Sequence, residues 1–129
     1  MRVFLDTAPV IYLIERHSIF GPKTANWLAA NATALVSSVI TRAESLIIPV
    51  RVNDAVRIQD FEAFFAIRLD EFRECERSAF DRAIQILAAF GFKLLDSLQL
   101  AVSIESKCDV FLTNDFRLKQ FTGIRVEVV

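Results

Sequence analysis

Two apolar runs of the sequence end on acidic residues, which are the first candidates for chemistry. The run "VFLDT" reaches Asp6, and the run "VFLTND" reaches Asp115. Two more acids belong to helical patterns, Glu44 in "TRAE" and Asp96 in "DSLQ". Carboxylate oxygens without a companion Cys or His are the donors that hard ions such as Mg²⁺ and Mn²⁺ prefer. If the four acids converge, they predict a cation site suited to phosphodiester chemistry.

Helix capping is the structural alternative for each of these acids. "TRAE" matches the capping-box pattern, "DSLQ" resembles it, and Asp6, Thr7, Asn114 and Asp115 are all common cap residues. Capping does not explain why Asp is used where Ser, Thr or Asn would serve, or why Glu44 lies inside a helix. At an effective dielectric constant near 20, two carboxylates about 5 Å apart repel by roughly 3 kcal/mol, so converging acids indicate a bound cation.

Short apolar runs predict the strands that position these acids. The predicted strands are Arg2–Leu5, Ala34–Val36, Val110–Leu112 and the closing run from Ile124, with a weaker strand at Glu71–Cys75. Such runs are typical of strands that are buried on both sides in a parallel sheet. Because the carboxyl ends of parallel strands meet at one edge, Asp6 and Asp115 are expected at the same rim.

Helical periodicity separates the predicted strands. The predicted helices are Pro9–Arg16, Gly21–Asn31, Thr41–Ile48, which stops before Pro49, Asn53–Phe65, Arg77–Phe90, which stops at Gly91, and Ser97–Glu105. Strands joined by helical crossovers predict an α/β fold with helices on both faces of a mainly parallel sheet. Glu44 then lies in the helix after the second strand, and Asp96 opens the helix that leads to the fourth.

Length and composition restrict the class of protein. The chain has 129 residues, of which 53% are hydrophobic, and this predicts one compact domain spanning residues 1–129. A net charge of -1 argues against binding nucleic acid through bulk charge. Cys75 and Cys108 match no zinc spacing and are expected to be free thiols, and His17 is expected at an exposed helix end. The absence of a leader pattern or a membrane-length apolar run predicts a cytoplasmic protein with no membrane partner.

Four motifs in register, "FLDT", "TRAE", "LLDSLQLAVS" and "VFLTND", resemble the PIN-domain nucleases over nearly the whole chain. The resemblance implies a three-layer α/β/α sandwich of the PIN type. It implies that the metal-binding catalytic acids are Asp6, Glu44, Asp96 and Asp115, and that the supporting polar residues are Thr7, Thr113 and Asn114. One departure is Ser97, where such motifs commonly have Ala.

The short length of the chain is similar to that of the VapC group, the toxins of type II toxin-antitoxin modules. That resemblance implies an endoribonuclease that requires Mg²⁺ or Mn²⁺, cleaves RNA and is silenced by a VapB-like antitoxin protein. It also implies a homodimer. The alternatives are a housekeeping PIN nuclease without an antitoxin and a metal-free PIN-like binding module. The sequence does not identify the RNA.

Arginine and phenylalanine side chains provide further candidates for binding. Arg42 and Arg117 flank proposed metal ligands and are candidate phosphate-binding residues, with a solvated surface position as the alternative. The helical segment Asn53–Phe65 carries more apolar surface than one face can hide. Its aromatic residues Phe61, Phe64 and Phe65 are therefore candidates for a partner interface, and the alternative is a helix buried on two sides.

Overall fold

The computed structural model describes all 129 residues and contains a five-stranded sheet. The strands are β1 (Arg2–Leu5), β2 (Ala34–Ser38), β3 (Glu71–Arg73), β4 (Val110–Thr113) and β5 (Arg125–Val128). They lie in the order β3-β2-β1-β4-β5, and every neighbouring pair is parallel. The predicted parallel sheet is confirmed, and β1 lies at its centre beside β4.

Six α-helices connect these strands. They are α1 (Thr7–Ile14), α2 (Phe20–Asn31), α3 (Val39–Arg51), α4 (Ala55–Ala63), α5 (Arg77–Phe90) and α6 (Leu94–Glu105). A π-helical turn, Phe64–Arg68, extends α4, and a 3-10 helix, Phe116–Gln120, follows β4. The end of α5 at Gly91 is as predicted, because Gly91 adopts the left-handed conformation with φ of 74°.

The two faces of the sheet carry separate hydrophobic cores because side chains alternate along each strand. Val3 and Leu5 of β1 face a core that α1, α2 and α4 cover. Phe4, between them, faces a second core covered by α5 and α6 and stacks on Phe111 of β4 at 5.4 Å. The chain therefore forms the three-layer α/β/α sandwich that the sequence predicts.

The two helices that carry candidate acids, α3 and α6, begin earlier than their sequence patterns indicate. Ser38 caps α3 by accepting a hydrogen bond from the backbone of Ile40, so Thr41 lies inside the helix and "TRAE" is not a capping box. The other helix, α6, begins at Leu94, which places Asp96 within its first turn rather than at its cap. Capping therefore explains neither Asp96 nor Glu44.

The prediction that α3 stops before Pro49 is wrong, because the helix continues to Arg51. A proline removes one N–H donor and crowds the carbonyl four residues earlier. Pro49 lies in the last turn of α3, so only the end of the helix bears this cost. The hydroxyl of Ser45, four residues before Pro49, is buried and has no hydrogen-bond partner.

The proposed aromatic interface is also wrong for the folded chain. Phe61, Phe64 and Phe65 are only 0%, 1% and 4% exposed. Their spacing of i, i+3 and i+4 places all three on one helical face, which packs against Val3 and Leu5 of the sheet. The three aromatic rings belong to the core. The alternative of a helix buried on two sides is also not met, because α4 buries one face and apolar residues such as Val56 stay exposed on the other.

Other expectations concern the cysteines, His17 and the membrane. Cys75 and Cys108 are free and half-buried. The Nδ1 atom of His17 accepts hydrogen bonds from the backbone of Ile19 and Phe20, so this exposed side chain supports the start of α2. None of the helices has the length and apolar character required to cross a bilayer.

Candidate active site at the carboxyl edge of the sheet

The four predicted acids line one open cleft at the carboxyl edge of the sheet. Asp6 follows β1 and Asp115 follows β4, whereas Glu44 projects from α3 and Asp96 from the first turn of α6. The cleft has a volume of about 480 Å³ and is also lined by the predicted supporting residues Thr7, Thr113 and Asn114. The structure therefore brings all seven of these residues to one site.

Two threonine hydroxyl groups orient the acids. The carboxylate of Asp6 accepts hydrogen bonds from the Thr113 hydroxyl at 2.7 Å and from the Thr7 backbone at 2.8 Å. The hydroxyl of Thr7 donates to Glu44 at 2.7 Å, and that of Thr113 accepts the backbone N–H of Asp115 at 3.0 Å. Each threonine thus links Asp6 to another acid of the cleft.

Burial and like charge act on Asp6. Burial raises the pKa of its carboxyl group to about 6, although the hydrogen bonds from Thr113 and Thr7 act in the opposite direction. The negative charges of Asp96 and Glu44 raise this pKa further. The neutral and ionised forms of Asp6 therefore exchange close to neutral pH.

The remaining acids lie in an electrostatic field of mixed sign. Burial raises the pKa of Asp96, and the charges of Asp115 and Glu44 raise it further against the opposing effect of Arg117 and Lys93. Asp115 differs because its carboxylate accepts two hydrogen bonds from the Arg117 guanidinium, at 2.7 Å and 3.1 Å. These bonds hold the pKa of Asp115 below its usual value.

The two candidate phosphate-binding arginines have different positions. Arg117 lines the cleft, and its side chain remains 65% exposed. Arg42 lies outside the lining of the cleft and pairs with Glu62 of α4 at 2.8 Å. The structure therefore retains Arg117 as a candidate and gives Arg42 a position between two helices instead.

The chemical type of the donor atoms in the cleft fits a metal ion, but the spacing of the acids does not form a ready-made site. The carboxylates and the Thr113 hydroxyl present only oxygen donors, which fit Mg²⁺ or Mn²⁺. The acids are nevertheless spread around the cleft, and no three of them form a ready-made cation site. The carboxylate of Asp115 points to Arg117, so a cation shared by all four acids requires side-chain rotation at Asp115.

A match to a protein family decides the identity of the fold. The family model described as "PIN domain" matches residues 3–124, a range that includes all four acids. The chain belongs to the PIN-domain family. Within this PIN domain, Ser97 stands where such motifs commonly have Ala. Its buried hydroxyl donates to the Lys93 carbonyl at 3.0 Å and makes no hydrogen bond to the Asp96 carboxylate. No curated protein matches the chain by sequence.

Solved structures similar to this PIN domain include three bacterial proteins of the VapC group. VapBC2 from Rickettsia felis, solved with a DNA fragment from its promoter, has a TM-score of 0.76 at 19% identity and covers 100% of this chain and 99% of that chain. VapC20 from Mycobacterium tuberculosis, a sarcin-ricin loop cleaving toxin, has a TM-score of 0.75 at 14% identity and covers 95% and 98%. DNA-bound VapBC from Salmonella typhimurium has a TM-score of 0.70 at 20% identity and covers 99% and 98%. The likeness is one of fold over the full length of both chains.

A buried polar chain beneath the site connects α6 to the sheet of the PIN domain. The Ser38 hydroxyl donates to the Gln99 side-chain oxygen at 2.6 Å, and the Gln99 amide donates to the Thr41 hydroxyl. The Thr41 hydroxyl donates in turn to the Leu5 carbonyl at 3.3 Å. Gln99 lies three residues after Asp96 on α6, so this network fixes the helix that carries an acid. In the sequence, Gln99 stands out only as the last residue of the capping-like pattern "DSLQ".

The substitution Gln99→Met is expected to lower the free energy of unfolding. Methionine fills a similar volume but removes the acceptor of the buried Ser38 hydroxyl and the donor to the buried Thr41 hydroxyl, at a cost of about 1–3 kcal/mol. Urea denaturation measures this loss, with Gln85→Met on the exposed face of α5 as the control. Equal stability of the two variants would show that the network does not hold α6.

Proposed function

We propose that this PIN domain is a metal-dependent endoribonuclease and the toxin of a type II toxin-antitoxin module. The observation that carries the proposal is the meeting of Asp6, Glu44, Asp96 and Asp115 in one cleft at the carboxyl edge of the sheet. Two of these acids, Glu44 and Asp96, do not cap any helix. Membership of the PIN-domain family and the VapC-like fold support the same reading.

In the proposed reaction the protein holds and orients the acids. Asp6, Glu44, Asp96 and Asp115 are the residues that would bind Mg²⁺ or Mn²⁺, which supplies an activated water and positive charge at the scissile phosphate when bound. Thr113 and Thr7 keep the Asp6 carboxylate in a fixed orientation. No side chain is required to form a covalent bond to RNA.

The proposed partners follow from the fold and the charges of the cleft. Arg117 is the residue proposed to contact a phosphate of RNA, since its guanidinium lies at the rim of the cleft. A VapB-like antitoxin is proposed because related folds were solved as VapBC assemblies, and a homodimer is proposed with it. A cytoplasmic location is consistent with these proposals.

The direct test is cleavage of RNA by the purified protein in Mg²⁺, in Mn²⁺ and in EDTA, with and without the product of an adjacent small gene. Cleavage only with metal, and its suppression by that product, supports both parts of the proposal. Metal-dependent cleavage that the product of the adjacent gene does not suppress favours a housekeeping nuclease instead.

The metal-free binding module remains the second candidate, because no three acids form a ready-made cation site. A titration with Mg²⁺ and Mn²⁺ distinguishes it from a nuclease.

Metal is expected to raise the melting temperature more at pH 8 than at pH 5.5. The pKa of Asp6 is raised to about 6 in the folded chain, so the stability that its neutral form contributes is fully present below pH 3.8 and is lost as the pH rises through 6. A bound dication favours the ionised acids and offsets that loss at high pH. Melting curves with and without Mg²⁺ or Mn²⁺ measure the difference.

Two variants check the source of this effect. Asp115→Asn is expected to reduce the difference between the two pH values, whereas Asp81→Asn on the exposed surface of α5 is expected to leave it unchanged. If Mg²⁺, Mn²⁺ and Ca²⁺ all fail to stabilise the protein at both pH values, the four acids do not bind a cation.

A further inference from the structure

A second, smaller cavity adjoins the candidate active site. The cavity and the catalytic cleft share Asp96 and Arg117 in their linings, so the two are neighbours on either side of these residues. Its other lining includes Phe90, Phe92 and Lys93, in the segment that joins α5 to α6. A ligand that crosses the cleft therefore has an adjacent place for one of its groups.

The volume of the cavity indicates the size of the ligand group that it can hold. It measures about 160 Å³. An apolar cavity of roughly 150 Å³ admits a benzene ring. This cavity opens toward the cleft and has a partly polar lining, and its space matches a single six-membered ring, such as a pyrimidine base, more closely than a two-ring purine.

A fixed aromatic ring forms part of the cavity. Phe92 stacks on Phe90 with 5.4 Å between the ring centres and 8° between the planes, and Phe121 packs edge-on against Phe90 at 5.2 Å. These contacts hold Phe92 in place while it remains partly exposed at the cavity. Aromatic side chains in such positions stack on bases with little regard to sequence.

Positive charge stands at the junction of the cavity and the cleft. Lys93 takes part in none of the ion pairs of the chain, and its charge acts on both Asp96 and Asp115. Arg117 pairs with Asp115 but its side chain is 65% exposed. No side chain caps the start of α6 beside Lys93, so the partial positive charge of the helix end adds to the field. These positive groups lie beside the negative charges of Asp96 and Asp115, and they are the groups at the junction that can contact a phosphate.

We propose that this cavity binds one base of single-stranded RNA, a pyrimidine in preference to a purine, next to the phosphate in the catalytic cleft. The base packs against Phe92, and Lys93 with Arg117 contacts the phosphate between the cavity and the acids. Gln120, which also lines the cavity, offers an amide donor and acceptor to the edge of the base. This inference rests on the proposed function, because it names how the same site holds its RNA.

The test is binding of fluorescein-labelled oligouridylate and oligoadenylate, measured by fluorescence anisotropy in EDTA so that metal-dependent cleavage does not occur. The wild-type protein is expected to bind oligouridylate more tightly. Phe92→Leu is expected to weaken that binding roughly fivefold or more, because base stacking is lost, whereas Phe92→Tyr keeps an aromatic face and binds like the wild type. Lys93→Ala is expected to weaken binding of both oligonucleotides and to make it less sensitive to salt.

Lys119→Ala is the matched control, because Lys119 is an exposed cation on the 3-10 helix that lines neither the cavity nor the cleft. It is expected to bind as the wild type does. Absence of binding by the wild type, equal affinity for the two oligonucleotides, or equal losses in Phe92→Leu and Phe92→Tyr would overturn the proposal. If Phe92→Leu does not fold, the preference of the wild type for oligouridylate tests the base contact, and Lys93→Ala, at an exposed position, tests the phosphate contact.

Failure of this inference and failure of the proposed function give different results. The wild type could cleave RNA with metal while Phe92→Leu and Lys93→Ala bind oligouridylate as tightly as it does. In that case only the proposal of a base-binding cavity fails. If the variants bind as expected but the wild type never cleaves RNA in Mg²⁺ or Mn²⁺, the proposed nuclease function fails and the proposed base-binding cavity stands.

Discussion

Asp6→Asn and Asp96→Asn should each abolish metal-dependent cleavage of RNA while leaving the protein folded. Both side chains line the cleft of the candidate active site, and asparagine removes the negative charge that the proposed cation requires. A loss of roughly a thousandfold or more in rate is expected for a group that the reaction requires. Cleavage of a labelled RNA in Mg²⁺ and Mn²⁺ measures the effect.

The fold should survive these substitutions because of where the charges lie. Asparagine caps a helix about as well as aspartate, so Asp6→Asn keeps the start of α1. The pKa of Asp6 is raised to about 6, and its ionised form therefore costs folding free energy at higher pH. Each pKa unit corresponds to roughly 1.4 kcal/mol, so removing the charge should stabilise the metal-free protein at pH 8 by about 1–3 kcal/mol.

The gain in stability of Asp6→Asn should depend on pH. As the pH falls below 6 the wild-type carboxyl group becomes neutral, and the advantage of Asp6→Asn in melting temperature should shrink. Asp81→Asn should cleave RNA as the wild type does, since Asp81 lies on the exposed surface of α5. Cleavage that survives in both Asp6→Asn and Asp96→Asn would mean that the reaction does not require these acids.

Phe64→Glu should destabilise the protein by about 4 kcal/mol or more, enough to unfold many domains of this size. The Phe64 side chain is 1% exposed, meets the ring of Phe65 edge-on at 5.4 Å and lies beneath the Arg68 guanidinium. Glutamate at this position loses the buried ring and places a carboxyl group in an apolar core. Thermal and urea denaturation measure the loss.

Val56→Glu is the matched control for this substitution. Val56 lies on the adjacent helix α4 but is 70% exposed, and a charged residue there should change the stability by less than about 0.5 kcal/mol. An unchanged melting temperature for Phe64→Glu, together with weaker binding of an antitoxin, would return Phe64 to the role of an interface residue.

The strand ends and their acids could be predicted from local sequence. Apolar runs such as Val110–Thr113 are buried throughout. A residue that directly follows such a strand must therefore lie at the edge of the sheet. Parallel pairing then puts Asp6 and Asp115 on the same rim, because Leu5 pairs with Leu112. The stop of α5 at Gly91 is equally local, since it depends on the conformational freedom of one residue.

The contacts within the site depend on residues that are far apart in the chain. Gln99 contacts Ser38 and Thr41 across 61 and 58 positions, and the hydroxyl of Thr113 reaches Asp6 across 107. Pairings at such separations are set by how helices pack on the sheet, and a pattern within one segment carries no information about them. For that reason the local pattern at Gln99 indicates only a capping residue.

Taken alone, the sequence determined the order of strands and helices, the parallel sheet and the edge at which four acids meet, because periodicity and strand ends are local properties. Only the tertiary structure decided which apolar and charged side chains are free to act. Phe64 is buried because its helical face packs on the sheet, and Arg42 is directed away from the cleft because Glu62 of a neighbouring helix pairs with it. Burial and ion pairing are properties of surfaces that meet only after the chain has folded.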